Sequence, residues 1–371
     1  MKQKQAMAIA HRILGMIVGV FIIIISLTGS ILVFDKEVNP ILHLHTHQVV
    51  PQTEQIALQQ VASSINQQFP QSQLDWLTIP GEANEPYHAL IKFPDKSKTD
   101  IYINPYSGEL LGSYPRDRAG MRIVNQLHTH LLAGKFGSFI VGVCGLLLLV
   151  LSITGLMLWN GWKKLSVGFK IRWQAKWQIL HYDLHKVGGV LTAVFLVLIA
   201  TSGSMMVFDK PIKNLGYWLT HQARIEKPVS LIFTHSQSLS LDQFLNIAIN
   251  AFPEGKPTVL YTAKDSQSPV RVRFKLPHEI APEGKSFILL DQYSGAVLQV
   301  ENFFHSPVIE RVKAWADALH TGTYGGLGMM AVYIVVGFVS SALSVTGFVI
   351  WWGRSFKRKV APRFSQSSAK G

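Results

Sequence analysis

Four long stretches of the 371-residue sequence contain no Asp, Glu, Lys or Arg, and each has at least 22 residues. They are residues 13–34, 136–162, 187–208 and 321–353. A helix needs about 20 mostly apolar residues to cross the hydrocarbon core of a bilayer, which is roughly 30 Å thick. The sequence therefore predicts four membrane-spanning helices. It excludes a fully soluble protein and an intrinsically disordered one, since disorder requires low hydrophobicity.

The basic residues behind the net charge of +13 are grouped on one side of the predicted spans. They precede the first span, separate the second from the third, and follow the fourth: Lys2, Lys4 and Arg12; Lys163, Lys164, Lys170, Arg172 and Lys176; Arg354, Lys357, Arg358 and Lys359. Because Lys and Arg are enriched in cytoplasmic loops, we expect both termini in the cytoplasm. This orientation explains the charge without a nucleic-acid partner, and the partner expected of all four spans is membrane lipid.

The predicted spans divide the chain into membrane and soluble segments. Residues 35–127 and 209–319 are expected outside the cytoplasm as small α+β domains, because helical spacing in residues 55–69 is followed by alternating, strand-like runs. The other segments are a cytoplasmic N-terminus (1–10), spans at 11–34, 128–160, 181–208 and 320–352, a cytoplasmic loop (161–180) and a cytoplasmic tail (353–371). The predicted fold class is an integral membrane four-helix bundle with two extracytoplasmic α+β domains.

The sequence contains an internal repeat. The His-Arg/Lys-x-x-Gly start and the Val-Phe-Asp-Lys end of the first span recur in the third at a constant offset of 174 residues. The Leu-His start and the Ser-x-Thr-Gly motif of the second span recur in the fourth at an offset of 192. A Tyr-Ser-Gly turn at 106–108 recurs at 293–295. The pattern predicts a tandem duplication, with the two halves related by a pseudo-two-fold axis along the membrane normal.

Each predicted span has a histidine near its start at the repeat position: His11, His128, His185 and His320. A single interfacial histidine is commonly only tolerated there, but the same repeat position in four helices indicates a functional site. The directions of the helices place His11 and His185 near the cytoplasmic face and the other two near the outer face. At a rise of 1.5 Å per residue, the faces are about 26 Å apart. The spacing therefore predicts two bis-histidine sites, one at each face.

Two imidazoles inside a helical bundle are typical axial ligands of haem iron, whereas zinc prefers three or four protein ligands. The sequence has one cysteine and no Cys-x-x-Cys-His, so any haem is expected to be bound non-covalently. Gly15 and Gly189 follow their histidines by four residues and would let a porphyrin approach the backbone, although ordinary small-residue packing also explains them. Arg12 and Lys186 are candidate partners of the haem propionates.

The His-Arg-x-x-Gly start, the long apolar runs and the Thr-Gly-x-x-x-Trp ending together resemble the PepSY-associated transmembrane family over nearly the whole chain. The Tyr-Ser-Gly turns resemble the PepSY modules of that family. Its members include di-haem reductases of ferric siderophores in the bacterial inner membrane. The resemblance implies two haem b groups, a location in the bacterial inner membrane, and reduction of a periplasmic ferric chelate or siderophore for iron uptake.

The predicted function is transmembrane electron transfer by a haem-dependent ferric-chelate reductase. No Gly-x-Gly-x-x-Gly motif follows a predicted strand, and the loop at 161–180 is too short for a nucleotide-binding domain. The electron donor is therefore expected to be quinol or a separate protein. No side chain is assigned a catalytic role, because the redox chemistry would belong to the haem. The alternative is a non-enzymatic, membrane-anchored protein whose outer domains bind or regulate a periplasmic peptidase.

Two further groups of histidines leave assignments open. His181 lies four residues before His185 on the same helical face and is the alternate ligand, although the repeat favours His185. His43, His45 and His47 alternate just beyond the first span. They form either a metal-binding strand face or a polar interfacial segment.

Overall fold

The structure is a computed structural model that describes residues 2–42, 48–116, 119–230 and 239–360. His43, His45 and His47 lie outside these residues. The chain forms two compact units. The helical unit comprises Met1–Val33, Val124–Val207 and Met330–Gly371, and the sheet unit comprises Phe34–Ile123 and Phe208–Met329.

The helices of the described residues include four that are long and apolar enough to cross a membrane. In chain order the helices are α1 (Lys2–Leu42), α2 (Leu58–Gln68), α3 (Ala119–His130), α4 (Gly134–Leu158), α5 (Leu165–Gly168), α6 (Trp177–Val207), α7 (Asp209–Thr220), α8 (Leu241–Ala251), α9 (Val308–Thr321) and α10 (Gly326–Val360). The candidate spans are Lys2–Val33, Gly134–Trp162, Trp177–Val207 and Thr323–Gly353. The prediction of a helical membrane protein with four spans is confirmed.

Small residues bring the long helices close together. A Cβ atom added at Gly145 of α4 would collide with the hydroxyl of Ser204 on α6. The hydroxyls of Ser26 on α1 and Ser341 on α10 form a hydrogen bond of 2.8 Å. Between membrane helices the hydrophobic effect contributes little, so close packing and interhelical hydrogen bonds of this kind hold the helical unit together.

Left-handed residues divide two of the predicted spans near their starts. Leu131 and Leu132 have φ angles of 47° and 58°, and they separate α3 from α4. Gly322, with φ of 76°, ends α9 before α10 begins. The predicted spans 128–160 and 320–352 therefore each join the last turn of one helix to the helix that follows. The first break has no turn signal in the sequence, because it falls at two leucines.

One antiparallel sheet of eight strands forms the centre of the sheet unit, in the order β4-β3-β2-β1-β5-β6-β7-β8. The strands are β1 (Gln73–Thr78), β2 (Tyr87–Lys92), β3 (Lys98–Ile103), β4 (Leu110–Pro115), β5 (Lys256–Tyr261), β6 (Val270–Lys275), β7 (Ser286–Leu290) and β8 (Val297–Glu301). Strand β1 pairs with β5, with Leu77 opposite Leu260. The two regions predicted as separate domains thus share one sheet, because pairing of β1 with β5 leaves neither as an open edge.

The sheet buries one face against α2 and α8, as the alternating sequence of its strands predicts. In β6, Val270, Val272 and Phe274 are buried, and the residues between them are only partly buried. The two helices also cap one another: the Asp242 carboxylate of α8 accepts the backbone N–H groups of Leu58 (2.8 Å) and of the residue after it (3.0 Å) in α2. These contacts form the main hydrophobic core of the sheet unit.

The two Tyr-Ser-Gly segments form the same turn in the structure. Gly108 and Gly295 have φ angles of 74° and 72°, which favour glycine. In each turn a side-chain oxygen, from Asn104 or Asp291, accepts the backbone N–H of the turn tyrosine, at 2.9 and 3.0 Å. The sequence therefore predicted both turns correctly.

We expect Phe274→Ala to lower the free energy of unfolding of the sheet unit by about 3–5 kcal/mol, because it leaves a cavity in a fully buried site. Denaturant unfolding of the purified chain measures this loss. The control is Val297→Ala, whose side chain is 43% exposed, and its effect is expected to stay below about 0.5 kcal/mol. Equal effects of the two substitutions would contradict this assignment of the core.

Candidate functional site

The helical unit contains a partly open cavity of about 380 Å³ between its long helices. This volume is within the range of about 300–1,000 Å³ that is typical of small-molecule sites. Most of the wall is apolar, and it includes several of the predicted site residues: His11, Arg12, Gly15, His185, Lys186 and Gly189. The cavity is therefore the candidate functional site.

His11 of α1 and His185 of α6 lie next to each other in the cavity wall. Their ring centroids are 6.4 Å apart, and the ring planes are almost perpendicular, at 89°. A metal–imidazole bond is about 2 Å long, so two imidazoles on opposite sides of one metal ion have centroids about 6 Å apart. The separation of the two rings therefore matches that of a pair of imidazoles sharing one metal ion.

The hydroxyl of Thr154 on α4 determines which nitrogen of His11 carries the proton. This hydroxyl donates its hydrogen to the carbonyl of Val150 at 2.7 Å. It must then accept the hydrogen bond of 2.9 Å that joins it to Nδ1 of His11. Nδ1 of His11 is therefore protonated, and in a neutral imidazole the lone pair is on Nε2.

His185 has the same tautomer as His11. Its Nδ1 lies 3.0 Å from the carbonyl oxygen of Leu343 and 3.0 Å from the hydroxyl of Thr346, both on α10. A carbonyl oxygen only accepts, so Nδ1 of His185 is the donor. Among the residues that the structure describes, none hydrogen-bonds to Nε2 of His185 or of His11. Both rings thus have a lone pair that is available to a metal, in the arrangement usual for metal-ligating histidines.

The glycine after each of these threonines makes room for an imidazole ring. A Cβ atom at Gly155 would lie 3.2 Å from Cε1 of His11, and one at Gly347 would lie 3.5 Å from Cε1 of His185. The Thr-Gly pair therefore provides both a hydrogen-bond acceptor and the space beside it. The repeat of the Thr-Gly motif is visible in the sequence, but its role is not, because that role depends on the neighbouring helix.

His128, near the end of α3, has the same surroundings. Its Nδ1 lies 2.8 Å from the carbonyl oxygen of Ile25, and a Cβ atom at Gly29 would lie 2.8 Å from its Cε1. His320 lies in the last turn of α9 and belongs to the sheet unit. Its predicted pairing with His128 stays a prediction from the sequence repeat.

Two glycines, Gly15 of α1 and Gly189 of α6, leave space at the cavity, and Arg12 of α1 places a positive charge there. Cβ atoms at Gly15 and Gly189 would have no contact closer than 3.9 Å, so neither glycine is required by tight helix packing. Arg12 is exposed at the cavity wall, and no ion pair to it is present among the described residues. These positions are consistent with the predicted approach of a flat, anionic group.

Lys186 differs from its predicted role. Its ammonium donates to the carbonyl oxygens of Val167 and Lys170, each at 3.0 Å, and lies 3.3 Å from the Asp183 carboxylate. All three N–H groups are therefore used within the protein, and Lys186 has none left for a propionate in this structure. The sequence could not predict this, because the two carbonyl groups come from α5 and from the loop that follows it.

His181, the alternate ligand, lies one turn before His185. Its Nδ1 is bonded to the carbonyl oxygen of Trp177 in its own helix, at 2.8 Å. His181 is not among the residues that line the cavity. The geometry therefore favours His185 as the residue available to a ligand in the cavity.

Asp183 connects the loop before α6 to that helix. This fully buried carboxylate accepts from Arg172 Nε at 2.8 Å, from Nη2 at 3.0 Å and from the backbone N–H at 3.1 Å. The bond to the carboxylate raises the pKa of Arg172 above its ordinary value. Together with Lys186, the cluster fixes the loop beside the cavity.

Residues 8–354 match the family described as the PepSY-associated TM region. Because the match covers most of the chain, the protein belongs to this family. None of the curated proteins compared with the chain matches it.

We expect Asp183→Ala to lower the free energy of unfolding by about 3 kcal/mol or more, because it leaves the buried Lys186 ammonium without its counter-charge. Glu54→Ala, at an exposed position, is the control and should stay within about 0.5 kcal/mol of the parent protein. Denaturant titration of both variants measures the difference. A stable Asp183→Ala protein would show that the cluster contributes little to holding the loop.

Proposed function

We propose that this chain binds haem b in the cavity of the helical unit and transfers electrons through the membrane to a ferric chelate outside the cytoplasm. The observation that carries the proposal is the pair formed by His11 and His185. Both rings have a protonated Nδ1 and an available Nε2, and their centroids are 6.4 Å apart in the cavity wall. Two neutral imidazoles at this separation are the axial ligand set of a bis-histidine haem.

The composition of the site supports haem over a bare metal ion. Among the described residues there is no group of three or more His, Cys, Asp and Glu side chains that could hold a metal ion. Zinc requires three or four such ligands, so two imidazoles do not complete a zinc site. Haem iron has four of its ligand positions filled by the porphyrin, and two imidazoles complete the remaining two.

The residues of the chain would hold and tune the bound group. When bound, the haem supplies one-electron chemistry at its iron. Thr154 and Leu343 fix the tautomer of the two histidines, and a hydrogen bond at Nδ1 raises the basicity of Nε2 as a ligand. Gly15 and Gly189 leave the helix backbone open to a flat ring, and Arg12 offers a positive charge to a propionate.

The sequence repeat extends the proposal to a second haem b with His128 and His320 as its ligands. Two haems near opposite membrane faces would form a serial path for electrons from quinol or a separate donor protein. The basic flanks of the spans support an orientation with both termini in the cytoplasm, and the family resemblance implies the bacterial inner membrane. The same repeat supports a tandem duplication as the origin of the fold.

We expect the purified chain to contain two haem b groups, and His11→Ala or His185→Ala to contain one. Each substitution removes one of the two residues that would hold the cytoplasmic-side haem but leaves the other pair intact. Haem extraction and a reduced-minus-oxidised absorption spectrum measure the content. The matched control is His181→Ala, one helical turn from His185, which should retain both haems because His181 does not line the cavity.

Absence of haem from well-expressed, folded protein would contradict the proposal and would favour the non-enzymatic, peptidase-binding alternative. Loss of a haem in His181→Ala but not in His185→Ala would show that the ligand is one turn away from the proposed residue.

We expect Thr154→Val to weaken haem binding at the cytoplasmic-side site by about 10- to 100-fold, the usual effect of removing a hydrogen-bond partner of a metal ligand. Thr346→Val is the matched control. It should have a smaller effect, because the Leu343 carbonyl still accepts from Nδ1 of His185, whereas His11 has no second acceptor among the described residues. The rate of haem transfer to an excess of apomyoglobin measures the effect of each substitution on haem binding. Equal rates in the two variants would contradict the assigned roles.

A further inference from the structure

Two arginines on the sheet unit share a frame of two aromatic rings. Arg271 and Arg273 are separated by one residue on β6, so they lie on the same face of the sheet. The guanidinium carbon of Arg271 lies 4.9 Å from the ring centroids of both Tyr261 and Phe287. That of Arg273 lies 5.2 and 5.3 Å from the same two rings. The rings hold two positive charges side by side.

Only one of the two guanidinium groups forms an ion pair among the described residues. Arg273 forms an ion pair with Glu283. Arg271 forms no hydrogen bond or ion pair within the described residues, and its buried Nε has no acceptor. Glu301 lies on the same face, opposite Phe287 on the next strand; its carboxylate attracts Arg271 but forms no ion pair with either arginine among the described residues. A partly buried guanidinium that donates no hydrogen bond lowers the stability of the fold, unless a ligand accepts hydrogen bonds from it.

The other half of the sheet has a comparable cluster of cationic and aromatic side chains that includes a carboxylate. Asp100 accepts from His88 Nε2 at 2.9 Å and pairs with Arg116 Nε at 3.2 Å, so that cluster contains its own carboxylate. At the offset of 187 residues that relates the two Tyr-Ser-Gly turns, Phe287 corresponds to Asp100. The second half therefore has two cations next to the position where the first half has an anion.

We infer that Arg271 and Arg273, framed by Tyr261 and Phe287, form a binding site for the carboxylate groups of a small organic anion. The planar guanidinium fork matches a carboxylate in two parallel hydrogen bonds, and the aromatic rings on both sides exclude water from them. If the proposed function holds, on which this identification of the ligand rests, the anion is a ferric chelate whose ligands include carboxylates.

Calorimetric titration of the purified full-length chain with gallium(III) citrate tests the site. Gallium(III) is a redox-inert substitute for iron(III), so binding is measured without electron transfer. We expect Arg271→Gln to weaken binding by about 10- to 100-fold, since it removes a charge-assisted, two-point contact. Arg271→Lys keeps the charge without the fork and should lose part of the affinity. The matched control is Arg116→Gln, which removes an equal charge that Asp100 already neutralises, and it should bind like the parent protein.

Three outcomes would overturn the inference: no binding of gallium citrate to folded parent protein, the same loss in Arg116→Gln as in Arg271→Gln, or inorganic phosphate binding as tightly as citrate. The haem content of each preparation keeps this test separate from the proposed function. Chain without haem that still binds gallium citrate through Arg271 would contradict the electron-transfer proposal alone. Chain with two haems and no citrate binding would contradict the inference alone.

Discussion

A hydrogen-bonding group inside a membrane needs a partner within the protein, because the hydrocarbon core has no water to supply one. This constraint governs the candidate site. Three imidazoles of the helical unit bind through Nδ1 to a carbonyl or hydroxyl oxygen of another helix: His11 to Thr154, His185 to Leu343 and Thr346, and His128 to Ile25. With Nδ1 satisfied in this way, the ring orientation and the tautomer are both fixed. The second nitrogen then remains for a ligand.

The glycines next to these acceptors explain why the motif is Thr-Gly and not threonine alone. A neighbouring helix can bring its imidazole to the threonine only where no side chain stands in the way. The Cβ positions of Gly155 and Gly29 lie 3.2 and 2.8 Å from the rings they face. The glycines that follow the histidines, such as Gly15, contact no protein atom so closely, which leaves space on the cavity side. One residue type thus serves two purposes at different positions of the repeat.

The sequence was sufficient to predict the elements that depend on local pattern. Charge-free stretches predicted the four spans, alternating residues predicted the strands, and Tyr-Ser-Gly predicted the turns that contain Gly108 and Gly295. Features that depend on distant parts of the chain could not be predicted this way. The pairing of β1 with β5 and the hydrogen bonds from Lys186 to the carbonyl oxygens of Val167 and Lys170 both require tertiary contacts. The break at Leu131 was hidden because two leucines carry no turn signal.

The central claim is that His11 and His185 hold one iron between them, and a density map of the purified, haem-loaded chain tests it most directly. The account predicts density for a planar group in the cavity, with its metal about 2 Å from Nε2 of both rings. Iron-specific anomalous scattering at that point would identify the metal. A cavity without such density in protein that contains haem, or a metal bound to His181, would contradict the account.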